Sequence, residues 1–127
     1  MTKMAVSASG TPHPAGPYSQ GIIANGLLFT AGFGPQDPNT GEVPTGVASQ
    51  TAQVLLNIQA LLREAGATMN DVVRSTVHLQ HLKRDFDDFN NAYQKFFIEP
   101  YPVRTTVGSN LNDILVEINV VAVLPAR

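Results

Sequence analysis

From position 114 to position 123 the chain reads I-L-V-E-I-N-V-V-A-V, ten residues that are almost continuously apolar and β-branched. Such a run predicts a strand buried on both faces. Side chains alternate along a strand, so Leu115, Glu117, Asn119, Val121 and Val123 share one face and Ile114, Val116, Ile118, Val120 and Ala122 the other. Near the start, residues 18–24 and 27–32 flank Asn25-Gly26, a pair that supplies the positive φ values of a type I′ turn, and they predict a β-hairpin. Residues 47–65 place Val54, Leu55, Ile58, Leu61, Leu62 and Ala65 at helical spacing, with Gly66 as the cap and Gln50, Gln53, Asn57, Gln59, Arg63 and Glu64 on the wet side. Thr68 to Asp71 matches a capping box and opens a short turn before a strand over 72–79, in which Val73, Ser75, Val77 and Leu79 share a face. A second helix is predicted over 86–97, with Phe86, Phe89, Asn90, Tyr93, Phe96 and Phe97 on one stripe that reads as core.

Between these elements lie segments of turn chemistry. Residues 1–17 contain Pro12, Pro14 and Pro17 and read as extended or loop-like chain. Residues 33–46 hold three prolines and three glycines and read as a surface loop. Arg104 sits on a further strand candidate, approached through Pro100 and Pro102. The order ββαβαββ predicts an α+β fold: one mixed sheet covered on one face by two helices, in a single domain over 1–127 with residues 1–12 flexible. Two helices dry only one face, whereas the last strand is apolar on both. A second copy of the chain, in a closed symmetric oligomer, is the economical cover.

Composition narrows the function classes. The chain has 127 residues, 43% hydrophobic and 14% charged, which suits one folded domain. Its net charge of -2 gives no footprint for nucleic acid or an anionic membrane, and neither partner is expected. There is no cysteine, so a disulfide framework, a thiolate metal site and a cysteine nucleophile are excluded. The N-terminus lacks a signal-peptide pattern, and no apolar run approaches the ~20 residues of a spanning helix. The expected location is cytoplasmic.

Candidate chemistry begins with Glu117, a carboxylate inside an apolar strand that must be paired, protonated or turned toward a wet pocket. Arg104, on the preceding strand candidate, is the nearest counter-charge. Two readings stay open from the pattern: a structural Arg–Glu pair, or a small site for an anionic ligand. The histidines make no metal site, because His78 falls in a strand, His81 in the loop after it, and no carboxylate pair completes the set. His13, between two prolines, reads as exposed loop. Gly32-Phe33-Gly34-Pro35 lacks the glycine spacing of a dinucleotide site.

Five stretches together carry a resemblance: G-P-Y-S-Q at 16–20, D-P-N-T-G at 37–41, D-D-F-N-N-A-Y-Q-K-F-F at 87–97, Y-P-V-R-T-T-V at 101–107 and L-V-E-I-N at 115–119. In this order, from about Pro12 to Val123, the chain resembles the reactive intermediate deaminase (Rid) family. The resemblance implies a fold like chorismate mutase of the bacterial trimeric type, a homotrimer, and three sites at the subunit clefts. It implies hydrolysis of 2-imino acids and their enamine tautomers, such as 2-iminobutanoate and 2-iminopropanoate, to 2-keto acids and ammonia without metal or cofactor. Carried over by position, Arg104 grips the substrate carboxylate, Glu117 positions or activates water and Tyr18 lines the cleft as the catalytic set. Asn90, Thr106 through its backbone N–H, Gly32 and Phe33 complete substrate binding. A guanidinium holds a carboxylate with two parallel hydrogen bonds, which would present the C=N carbon to water. The chain departs from many relatives in reading Ala31-Gly32-Phe33 for S-G-Q, which puts a ring near the expected cleft, and Arg104-Thr105-Thr106 for Arg-Ser-Cys. The alternative is a non-catalytic carboxylate-binding or regulatory protein that uses the same cleft.

Overall fold

In the computed structural model, which describes residues 2–125, the chain opens with three antiparallel strands: β1 (Met4–Val6), β2 (Gly21–Ala24) and β3 (Leu27–Thr30). Asn25 and Gly26 take φ values of 54° and 77°, so the β2–β3 hairpin turns where the Asn-Gly pair demands it. The three-residue β1, paired with β2 in the segment read as extended or loop-like chain, is too short to leave a periodic signal. Helix α1 (Val47–Glu64) ends at Gly66, whose φ of 83° lets the Ala67 N–H return to the Leu62 carbonyl at 2.8 Å. The Asp71 carboxylate accepts the Thr68 N–H at 2.8 Å and sets the short turn before β4 (Val72–Leu79). Helix α2 (Leu82–Tyr93) then leads to β5 (Val103–Gly108), and β6 (Val116–Val123) closes the chain.

These strands form one six-stranded sheet in the order β1-β2-β3-β6-β4-β5. It is mixed: β4 and β5 run parallel because α2 makes the crossover between them, and the other pairs are antiparallel. Both helices lie on one face. Val54, Leu55, Ile58, Leu61 and Leu62 of α1 and Phe89 of α2 join Leu28, Val77, Leu79, Val116, Ile118, Val120 and Ala122 in a single buried core.

Four details differ from the sequence reading, each for a tertiary reason. In this chain β6 is buried on its helix-facing side only; Glu117, Asn119 and Val121 are half-buried, because no second layer covers them. The register of β4 shifts between Val72 and Arg74, which turns Val73 outward and brings Val72 in beside Ser75, Val77 and Leu79. Gln50 and Asn57, assigned to the wet side of α1, are buried. The Gln50 Nε2 donates to the Pro44 carbonyl and its Oε1 accepts the Leu115 N–H; the Asn57 Nδ2 donates to the Gly34 and Gln36 carbonyls. Those two amides pin the 33–46 loop to the helix. Finally, α2 begins four residues ahead of the predicted start, at Leu82, and leaves Phe86 partly exposed at the end of the aromatic stripe.

Candidate active site

Glu117 projects from β6 onto the sheet face without helices, since it pairs across the ladder with His78 while its neighbours Val116 and Ile118 point into the core. Its carboxylate lies against Gly32, where a β-carbon would stand 2.7 Å from Oε2 and 2.8 Å from Cδ. Only glycine leaves the carboxylate this position. Glu117, Gly32 and Tyr18 border a cavity of about 340 Å³ that also takes in Pro12, His13 and Asn112. The half-exposed Tyr18 is braced there, because its hydroxyl accepts the Ala15 N–H at 3.0 Å.

Phe33 borders the same cavity from its core side. Its backbone bridges Ile118, donating N–H to that carbonyl at 2.8 Å and accepting in return at 3.1 Å. Paired residues share a face, so the ring falls with Ile118 into the hydrophobic core, 6% exposed, and not into the cleft. Phe33 contributes to the cavity wall without filling it.

Arg104 lies elsewhere. In the parallel ladder it pairs with Ser75, which is buried on the helix side, and its guanidinium turns toward α2. There Nη2 donates to Asn90 Oδ1 at 2.8 Å, and the guanidinium carbon stands 4.8, 5.2 and 5.9 Å from the ring centres of Tyr93, Phe89 and Phe86. These rings hold the cation by their negative faces and fix its plane. Asn90, Tyr93, Tyr101, Pro102 and Arg104 surround a second, open hollow of about 300 Å³. Thr106 is two residues further along β5 on the same face, in register with Val77. Beneath Arg104 the Tyr93 and Ser75 hydroxyls meet at 2.7 Å. Burial pushes the Tyr93 phenol up from its ordinary value, against the opposing effects of the Ser75 hydrogen bond and the Arg104 charge.

The structure therefore divides the sequence-derived set in two. Tyr18, Gly32 and Glu117 meet on the open face; Arg104, Asn90 and Thr106 stand on the helix face at the sheet edge. Strand β4 separates β5 from β6, so Arg104 is not on the strand beside Glu117, and the two do not pair within one chain. The structural Arg–Glu pair is ruled out there. Among the described residues neither group has a partner of opposite charge within 4 Å; the ion pair found is Arg84–Asp85 at 2.8 Å. Nor do any three His, Cys, Asp or Glu side chains among the described residues gather as a metal site. No helix among them is long and apolar enough to cross a membrane.

Two residues of these walls carried no usable signal. Tyr101 precedes Pro102 as an ordinary exposed aromatic, and His13 reads as loop, yet they border the Arg104 hollow and the Glu117 cavity respectively.

Comparison with known proteins places this geometry in context. Residues 8–124 match the family model described as Endoribonuclease L-PSP. A RutC family protein of Pyrococcus abyssi is 43% identical over 96% of this chain and 98% of its own length. The 2-iminobutanoate/2-iminopropanoate deaminase of Escherichia coli K12 is 36% identical over 93% of this chain and 95% of its own. The crystal structure of E. coli TdcF with bound serine superposes with a TM-score of 0.90 at 33% identity, covering 96% of this chain and 99% of that one.

Proposed function

Because the chain belongs to the Endoribonuclease L-PSP family, which includes the reactive intermediate deaminases, we propose that it hydrolyses small 2-imino acids to 2-keto acids and ammonium. The reaction balances as R–C(=NH₂⁺)–COO⁻ plus water giving R–CO–COO⁻ plus NH₄⁺. Arg104 grips the substrate carboxylate, Asn90 and the three rings hold the guanidinium in plane, and Glu117 accepts a proton from the attacking water and returns it to the departing nitrogen. Tyr18 and Gly32 shape the place where water and imine meet. No step calls for a metal or cofactor.

The observation that carries this reading is a pair of part-buried groups, one guanidinium and one carboxylate, each without an opposite charge within 4 Å among the described residues. Since one chain holds them on opposite faces, the working site is assembled from two copies. The edge strand β5 of one copy brings Arg104 to the open face of another, where Glu117 lies. Phe29, Val103, Val107 and Val123, exposed apolar side chains in register with that face, supply the contact surface, and the family resemblance points to a closed trimer with three such clefts. The test is to generate 2-aminocrotonate or 2-aminoacrylate with a dehydratase and follow loss of the imine. Acceleration over buffer is expected; none with any 2-imino acid overturns the reading.

A second reading, carboxylate-metabolite sensing without turnover, takes its support from the likeness to a protein solved with bound serine. It requires saturable keto-acid binding, lost in Arg104→Ala, with no hydrolysis. A ribonuclease reading has little support in a chain of net charge -2; steeply salt-dependent RNA binding would be its mark.

A further inference from the structure

The cavity beside Glu117 contains polar groups that the proposed hydrolysis does not use. Two of its polar side chains are already committed. The Tyr18 hydroxyl holds the Ala15 N–H, and the Gln20 amide holds both the Ala8 N–H and the Pro12 carbonyl. Three others, His13, Gln36 and Asn112, have no hydrogen-bond partner among the described residues. All three can donate a hydrogen bond, and among the described residues that line the cavity His13 is the one whose side chain has a cationic form. Lys3 borders an adjoining groove instead.

His13 is also held in place. Pro12 and Pro14 restrict the backbone on either side of it, the Gln20 Nε2 fastens the Pro12 carbonyl at 3.2 Å, and Thr11 is buried with its hydroxyl donating to the Ala8 carbonyl at 3.2 Å. A donor carried on such a segment needs little ordering when a ligand arrives. The space is large for the work assigned to it. About 340 Å³ in one chain exceeds what a four-carbon imine occupies, and an apolar side chain lying there would displace water from the exposed His13 and Asn112 and the part-buried Gln36 without replacing its hydrogen bonds.

Resting on the deaminase reading, we infer that His13, with Gln36 and Asn112, selects 2-imino acids whose side chain ends in a hydrogen-bond acceptor, a carboxylate or a carboxamide. The imine carboxylate goes to Arg104 of another copy and the C=N carbon to Glu117. The side chain then extends into the rest of the cavity, where its terminal oxygens take the imidazole and amide donors. Specificity then comes from the difference between substrates: one that lacks the acceptor displaces water from the donors without pairing them.

The test uses the full-length protein and imines made in situ by amino acid oxidases from glutamate, glutamine and 2-aminobutyrate, with semicarbazide as the competing trap. Wild type is expected to favour the glutamate or glutamine imine over 2-iminobutanoate in kcat/KM. His13→Ala should shrink that ratio about tenfold. His13→Gln, which keeps a donor and has no cationic form, should restore the ratio for the carboxamide and not for the carboxylate. Calorimetric binding of 2-oxoglutarate against 2-oxobutanoate gives a second readout that needs no turnover, and His13→Ala should weaken the former selectively. A selectivity ratio unchanged by His13→Ala in both kinetics and binding overturns the inference. Hydrolysis absent with every imine while the binding ratio still responds to His13 would overturn the deaminase reading alone.

Discussion

Gly32 and Glu117 stand so close that a β-carbon on the first would meet the carboxylate of the second at 2.7 Å. The clash falls on the flexible end of a side chain, and Gly32 is itself exposed, so the fold can absorb an extra methyl by moving the carboxylate. Gly32→Ala is therefore expected to lower imine hydrolysis about 10- to 100-fold through misplacement of Glu117. Its thermal midpoint should stay within about 3 °C of wild type. A large loss of stability with the rate per folded molecule intact would show the contact to be purely structural.

Arg104→Lys should not be conservative. The ammonium keeps the charge but loses the planar fork and the fit against Phe86, Phe89 and Tyr93. The expected cost is about 100-fold in kcat/KM, from loss of the two-pronged carboxylate contact. Steady-state kinetics of the two proteins side by side decide it, and equal values refute the grip.

Arg104→Ala and Glu117→Gln should each be nearly inactive, the second with ligand binding largely preserved and turnover reduced about 10²–10⁴-fold. Refolded together in equal amounts, they should recover activity, because some clefts then combine an intact Arg104 from one copy with an intact Glu117 from another. Random assortment restores about one cleft in four in a ring of identical interfaces. No recovery from a mixed oligomer would mean that the two residues do not work across copies.

Asn57 binds two loop carbonyls, those of Gly34 and Gln36, while accepting the Gln53 amide at 2.9 Å. Asn57→Ala strands the two acceptors beside a buried helix position. Loss of about 2–4 kcal/mol is expected in urea unfolding. A cost below about 1 kcal/mol would show that water replaces the amide.

Tyr93 links stability to alkaline pH. Its folded-state value is raised, so the folded chain keeps a proton that the unfolded chain releases from about pH 10 upward. The stabilisation is fully present below that point and is lost as pH climbs through the folded value. Between pH 9 and pH 11 the urea midpoint of wild type should fall more than that of Tyr93→Phe. Parallel declines would assign the alkaline loss to other groups.

Much of the fold was legible because it is written in local terms. The Asn25-Gly26 turn, the Gly66 cap, the Thr68–Asp71 box and the two helical stripes depend on residues a few positions apart, whose backbone preferences act wherever the segment sits. The types of the candidate site residues were legible too, since a glutamate in an apolar strand needs an explanation at any depth.

Their arrangement was not. Among the described residues, the sequence alone determined six of the eight strands and α-helices to within a few residues, together with most of one apolar face of β6 and a cation and a carboxylate whose use, as a structural pair or as an anion site, it left open. Tertiary structure decided that β4 would lie between β5 and β6, that a register shift would turn Val73 out, that Gln50 and Asn57 would be buried against a distant loop and that the Phe33 ring would join the core. Strand order and register are settled by which faces pack together across the whole chain, and a shift of one residue exchanges the faces. That is why Arg104 and Glu117 emerge on opposite sides of a single sheet within one chain.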